Sequence, residues 1–158
     1  METVGADAVV APRRAAWRAW RLALRPRVRL GRGVVVGPGV IVTAARGARV
    51  VIEDGAALGA GARLEARGGE LRVGAGAVLG ARASVAGAAN VGAECVIGDW
   101  ARVEGDAVLA PRARLAAHAV ALTGARIGAG AVIGSYAVVD GPVSPGARHW
   151  PRSRAPLR

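Results

Sequence analysis

Aliphatic side chains recur at every sixth position through the second half of the chain. The series comprises Val73, Leu79, Val85, Val91, Ile97, Val103, Leu109, Leu115, Ala121, Ile127, Ile133 and Val139. A second series of small residues, nearly all alanine, precedes it by two positions from Ala77 to Ala137. A period of six matches neither the 3.6-residue period of a helix nor the two-residue alternation of a simple strand. It is typical of a hexapeptide solenoid, in which short strands wind around a narrow core.

Three hexapeptides complete one coil of eighteen residues, so residues eighteen apart are expected to stack inside the solenoid. The three predicted inward stacks are Val73, Val91, Leu109 and Ile127; Leu79, Ile97, Leu115 and Ile133; and Val85, Val103, Ala121 and Val139. A narrow interior fits a chain that has no phenylalanine. We therefore predict an all-β fold of about six triangular coils.

The six-residue spacing continues towards the N-terminus with two interruptions. Val42 and Ile52 are four residues further apart than the repeat requires, and Leu64 and Val73 are three further apart. We interpret the extra residues as corner loops over 43–51 and 65–72.

Two short segments flank the predicted solenoid, which gives a division into 1–27, 28–143 and 144–158. Residues 12–25 are expected to form a basic amphipathic helix with Trp17 and Trp20 on its apolar face. This helix either caps the first coil or lies on an anionic membrane surface. The segment 144–158 is expected to be a basic, proline-containing tail.

Composition restricts the classes of function. The net charge is +11 and every basic residue is arginine; the excess lies at the two ends, while the coils are nearly balanced. Basic ends can attract phosphates, anionic lipid or nucleic acid, or they can simply be solvated; no nucleic acid partner is expected. No apolar stretch of membrane-spanning length and no signal-peptide core is present, which favours a cytoplasmic protein. Cys95 is the only cysteine and falls on a small-residue position, where packing explains it. With two histidines and no carboxylate cluster, no metal site is expected.

One further column follows from the eighteen-residue period. It comprises Arg82, Trp100, His118 and Tyr136, each three positions after a residue of the aliphatic series and therefore at an outward corner. Three interpretations are open. The column is a stacking ladder that shields the corner, a face buried against another subunit, or the wall of a substrate groove in which His118 acts as a base.

The repeat resembles that of the hexapeptide-repeat acyltransferases, a family with a left-handed parallel β-helix fold. Three segments carry the resemblance: VGAGAVLG, VIGDWARV and RIGAGAVIGSYAVV. It covers roughly residues 28 to 147.

The resemblance implies transfer of an acyl group, usually acetyl from acetyl-CoA, to a hydroxyl or amine of a small acceptor such as a sugar. It implies a homotrimer with active sites between neighbouring prisms. His118 is the candidate catalytic base, and Arg82, Trp100 and Tyr136 are candidates for substrate binding. The candidates for the CoA phosphates are Arg126, Arg148, Arg152 and Arg154.

Two family features are missing from the sequence. There is no active-site loop of the Asp-x-His or His-Pro type, and no Gly-x-Pro-Ala stretch follows the segment with Pro142 and Pro145. These absences support an alternative function, in which a catalytically degenerate β-helix serves as a binding or assembly scaffold.

Overall fold

The computed structural model describes residues 27–151, and short strands joined by tight turns make up all the regular secondary structure of this range. The strands are β1 Val28–Leu30, β2 Val35–Val36, β3 Ile41–Ala44, β4 Arg49–Ile52, β5 Ala57–Leu58, β6 Arg63–Ala66, β7 Glu70–Val73, β8 Val78–Leu79, β9 Ser84–Ala86, β10 Asn90–Val91, β11 Val96–Ile97, β12 Arg102–Val103, β13 Val108–Leu109, β14 Arg114–Leu115, β15 Val120–Ala121, β16 Arg126–Ile127, β17 Val132–Ile133, β18 Val138–Val139, β19 Pro142–Val143 and β20 Arg148–His149.

Every third strand pairs in parallel with the next, which produces three sheets around one axis. Sheet A contains β1, β4, β7, β10, β13, β16 and β19; sheet B contains β2, β5, β8, β11, β14, β17 and β20; sheet C contains β3, β6, β9, β12, β15 and β18. The chain passes from A to B to C in each coil, so the solenoid has three edges, which we name AB, BC and CA. This architecture confirms the predicted parallel β-helix.

The inward stacks predicted from the period are present. Val91 pairs with Val73 and Leu109, and Ile97 pairs with Leu79 and Leu115. The aliphatic series is 0–3% exposed from Val73 to Val139, and the small residues from Ala77 to Ala137, including Cys95, are fully buried. Alanine fits these corner positions because backbone from adjacent coils, about 4.8 Å apart, leaves no room for larger side chains.

The prediction of corner loops over 43–51 and 65–72 is wrong in detail. Most of the extra residues lengthen strands: β3 and β6 pair over four residues, and so do β4 and β7. The turns between them are short, at 45–48 and 67–69. Because the insertions fall on adjacent coils, the longer strands find partners, and Val50 and Leu71 become additional core residues that are fully buried.

The solenoid is also longer than predicted, with about seven coils instead of six. β19 pairs with β16 and β20 pairs with β17, so pairing continues beyond residue 143 into the segment expected to be a tail. The register of these pairs is sixteen residues, since Ile127 aligns with Val143 and Ile133 with His149. The corner at Asp140 and Gly141 is two residues shorter than in a regular eighteen-residue coil. The last coil therefore does not follow the six-residue period and was not predicted from it.

The predicted helix over 12–25 and the arginines Arg152 and Arg154 lie outside the described residues. Within residues 27–151, no helix is long and apolar enough to cross a membrane.

Candidate active site

The BC edge is built from a series of similar four-residue turns. In each, the residue after a sheet B strand accepts a hydrogen bond through its carbonyl from the N–H three residues later, as from Ala101 to Gly98 (3.1 Å) and from Ala119 to Ala116 (3.1 Å). The third residue of each turn has a positive φ, which is the geometry of a type II turn. Its side chain therefore projects outward from the edge, and residues at this position line up along the axis.

Four consecutive coils place the predicted column at this third position. Arg82, Trp100, His118 and Tyr136 have φ values of 56°, 61°, 60° and 62°. The imidazole of His118 lies parallel to both neighbouring rings: its centroid is 4.8 Å from that of Tyr136, with 3° between the planes, and 6.2 Å from that of Trp100, with 6°. The Cζ atom of Arg82 lies 4.8 Å from the centroid of the Trp100 ring, a cation–π contact. We call these four residues the ladder.

The backbone conformation under the ladder is costly for residues with a Cβ atom. A left-handed conformation costs about 1–2 kcal/mol per residue for side chains other than glycine. The two preceding coils have glycine at the same position, Gly39 and Gly61. Ring stacking at about 0.5–1.5 kcal/mol per pair offsets only part of the cost. Glu94 and Arg112 on the AB edge share this conformation, so the ring stacking, and not the strain alone, distinguishes the BC edge.

The ladder is exposed, with Trp100 at 49% and Tyr136 at 68% of their full surface. The carboxylate of Asp99 links two adjacent turns of this edge. Its Oδ1 accepts a hydrogen bond from the N–H of Ala81 on the preceding coil (2.8 Å). His118 is exposed as well, and the ring of Tyr136 stacks on one of its faces.

Trp150 extends this edge by one coil and was not included in the predicted column. Trp150 directly follows β20, and Gly134 directly follows β17, the strand with which β20 pairs. The indole ring of Trp150 therefore lies over Gly134, where it would clash with any side chain. Trp150 is 59% exposed. Its alignment depends on the sixteen-residue register of the last coil, so the eighteen-residue period could not identify it.

The two described arginines proposed for CoA lie on different sheets. Arg126 is on the outer face of β16 in sheet A, whereas Arg148 is on the outer face of β20 in sheet B, two residues before Trp150. Arg148 therefore lies on a sheet that borders the BC edge, whereas Arg126 does not.

Cys95 behaves as a core residue. Its thiol Sγ lies 3.1 Å from the carbonyl oxygen of Ala110, and burial raises the pKa of the thiol, which disfavours the reactive thiolate. Among residues 27–151, no three His, Cys, Asp or Glu side chains lie close enough together to hold a metal ion.

Comparisons with known proteins find few similar sequences. No protein-family model matches the chain. The carboxysome assembly protein CcmN of Synechococcus elongatus is 35% identical over 71 residues, which are 45% of this chain and 44% of that protein. The chain therefore matches less than half the length of this curated relative.

Among solved structures, a Bacillus cereus protein assigned as an acetyltransferase is 15% identical, with a TM-score of 0.33. The alignment covers 79% of this chain and 76% of that protein. Because the score is low, the fold rests on the strand pairing described above. The chain is a hexapeptide-repeat parallel β-solenoid, the architecture that its sequence resemblance implies.

Proposed function

We propose that the protein is a CoA-dependent acyltransferase whose catalytic base is His118. The observation that supports this most strongly is the ladder, in which an imidazole stands between two parallel rings at a strained and exposed corner. The stacking holds the ring in one orientation without using its nitrogens. A base with a fixed orientation and an accessible nitrogen is what proton transfer requires.

In the proposed reaction, a nitrogen of His118 removes the proton from a hydroxyl or amine of the acceptor. The acceptor atom forms a bond to the carbonyl carbon of the thioester, and the bond from that carbon to the CoA sulfur then breaks. The proton held by His118 passes to the departing thiolate, so the products are the acylated acceptor and CoA. Arg82, Trp100 and Tyr136 would position the acceptor, and Arg126, Arg148, Arg152 and Arg154 would bind the phosphates of acetyl-CoA.

Release of free CoA thiol from acetyl-CoA, measured with a panel of hydroxyl and amine acceptors, tests this proposal. The protein should increase thiol release above the rate without protein for at least one acceptor. A panel that gives no release above that rate would argue against catalysis and for the second function below.

We further propose a homotrimer in which sheets B and C face neighbouring subunits and the ladder lines the groove between them. The large apolar residues that are exposed in the described part of the chain all lie on sheets B and C or at the corner between them, and none lies on sheet A. They are Val35, Ile41, Val78, Trp100, Tyr136, Val138 and Trp150. Exposed apolar surface concentrated on one side favours burial against another subunit.

A charge on this surface should dissociate the trimer. Val138, on the outer face of β18, is 54% exposed, so Val138→Glu is compatible with the folded monomer and opposes burial in an interface. Sedimentation velocity should show a trimer for the unmodified protein and a smaller species for the variant. Val108→Glu, at the outer face of sheet A, is the matched control and should remain trimeric. A monomeric unmodified protein, or equal behaviour of the two variants, would contradict this proposal.

The second candidate function is a binding or assembly scaffold. It is supported by the identity shared with a carboxysome assembly protein, together with the absence of the family's active-site loop and Gly-x-Pro-Ala stretch. In that case the ladder would be a contact surface and His118 would have no chemical role. A protein that binds no acetyl-CoA and releases no thiol would favour this function.

A further inference from the structure

The two ends of the ladder differ. At one end the guanidinium of Arg82 covers the outer face of the Trp100 ring, with Cζ 4.8 Å from the ring centroid. At the other end Tyr136 stacks on His118 through one ring face only, at 4.8 Å between centroids, and still keeps 68% of its surface exposed. Its second ring face, which points along the axis towards the last coil, is therefore open to solvent. We call it the open face.

Trp150 stands on the last coil beside the open face. The carbonyl of Gly134 accepts the hydrogen bond that closes the turn carrying Tyr136, from the N–H of Ala137 at 3.1 Å, and the indole of Trp150 lies over this glycine. Tyr136 and Trp150 are also the two most exposed large apolar side chains of residues 27–151, at 68% and 59%. Two aromatic surfaces are thus accessible at the same turn.

Free positive charge borders these two rings. Arg148 lies two residues before Trp150 on the outer face of sheet B, and Arg114 occupies the same outward row two coils earlier, in register through Val132. Neither arginine forms an ion pair with an acid of residues 27–151, and no acid occupies an outward position of the sheet B strands. After residue 106 the sequence contains one acid, Asp140, which follows β18 at the CA edge. The guanidinium of Arg148 is therefore available to an anion.

An accessible aromatic face beside an unpaired guanidinium matches the chemistry of a nucleotide. Nucleobases stack on aromatic side chains, and a guanidinium binds phosphate through two parallel hydrogen bonds. A base on the open face would continue the series of parallel rings that His118 and Tyr136 begin. The fused rings of a purine offer more stacking area than a single ring, which suits a site with two aromatic surfaces.

We propose that the open face of Tyr136 binds the base of a purine nucleotide and that Arg148 binds its phosphate. In the acyl transfer described above, this base is the adenine of CoA. That identity rests on the proposed function, whereas the binding of a nucleotide does not. The proposal concerns the open face alone, so the outward edge of Tyr136 stays available to an acceptor at His118.

AMP and ribose 5-phosphate test the site, because they carry the same phosphate and differ only in the base. The titrations would follow amide and indole N–H signals of the ¹⁵N-labelled full chain at constant ionic strength, with the Trp150 indole signal assigned from Trp150→Phe. We expect AMP to bind at least about fivefold more tightly than ribose 5-phosphate. The largest shifts should fall on Trp150 and on residues 134–137.

Two substitutions at Tyr136 separate the ring from its bulk. Tyr136→Leu keeps an apolar side chain but removes the aromatic face, and it should weaken AMP binding about tenfold. Tyr136→Phe keeps the face and should bind AMP as the unmodified protein does. Ribose 5-phosphate should bind both variants equally.

Arg148→Gln tests the phosphate contact. This variant should weaken AMP binding about tenfold and leave the binding of uncharged adenosine unchanged. Arg29→Gln is the matched control, since it removes the same charge from an exposed and unpaired arginine on the outer face of sheet A. Its affinity for AMP should equal that of the unmodified protein.

Equal affinity for AMP and ribose 5-phosphate, or AMP binding that Tyr136→Leu leaves unchanged, would overturn the proposal. These results are independent of catalysis. Thiol release by a protein without preference for the base would remove the nucleotide site and leave the acyltransferase standing, whereas AMP binding without thiol release would do the reverse. Acetyl-CoA should displace AMP; failure to do so would overturn the assignment of the base to CoA.

Discussion

Replacing His118 by alanine should lower kcat/KM for acetyl transfer by about 10²- to 10⁴-fold, the range typical of a lost general base. The physical reason is that the imidazole of His118 is the side chain of the ladder proposed to accept the proton of the acceptor. The thiol-release assay measures the effect directly.

The control for this variant is His149→Ala. His149 is the only other histidine in the chain, and it lies at an inward position of the last coil, where it pairs with Ile133. We expect transfer by His149→Ala to stay close to that of the unmodified protein. Loss of the stacking on His118 should cost about 0.5–1.5 kcal/mol per ring pair, so the fold should survive, as circular dichroism would verify. Full activity of a folded His118→Ala protein would eliminate the proposed base.

Replacing Ile97 by alanine should lower the free energy of unfolding by about 2–5 kcal/mol. Ile97 is fully buried in the middle of the solenoid, stacked between Leu79 and Leu115. Strand pairing holds the coils at their fixed spacing, so they cannot collapse into the space left by the missing atoms. Urea denaturation followed by circular dichroism measures the change.

Val96→Ala is the matched control for the core variant. Val96 is the preceding residue in the same strand, but its side chain faces outward and is half-buried. We expect this substitution to change the free energy of unfolding by about 0.5 kcal/mol or less, as for other surface positions. Similar losses for both variants would mean that the period does not distinguish core from surface.

The sequence predicted most of the architecture because the core of a solenoid repeats with the chain. Every residue of the aliphatic series from Val73 to Val139 faces inward, since one rule governs all of its positions. The rule fails where a coil changes length. The longer strands β3, β4, β6 and β7 and the short corner before β19 alter the register by a few residues, and only the strand pairing reveals where each extra or missing residue goes.

The same limit applies to residues on the outer surface. The ladder lies within regular coils, so a spacing of eighteen residues was enough to predict that Trp100, His118 and Tyr136 line up. Across the insertion between Leu64 and Val73 the spacing changes, and Arg63 aligns with Ser84 at twenty-one residues. No fixed period connects Arg63 with Arg102, so their alignment on sheet C follows only from the strand pairing. The positive φ values of the ladder residues could not be predicted either, because backbone dihedral angles do not follow from the spacing of side chains.

The most direct test of the proposed function is whether acetyl-CoA raises the thermal midpoint of the purified protein. A ligand at a hundredfold excess over its Kd stabilises the folded state by about 2.7 kcal/mol, so the midpoint should rise with acetyl-CoA concentration. Because the chain is strongly basic, pyrophosphate at the same concentration serves as the control for nonspecific anion binding. An acyltransferase should show a rise with acetyl-CoA that exceeds the rise with pyrophosphate. Equal shifts, or no shift at all, would contradict the assignment.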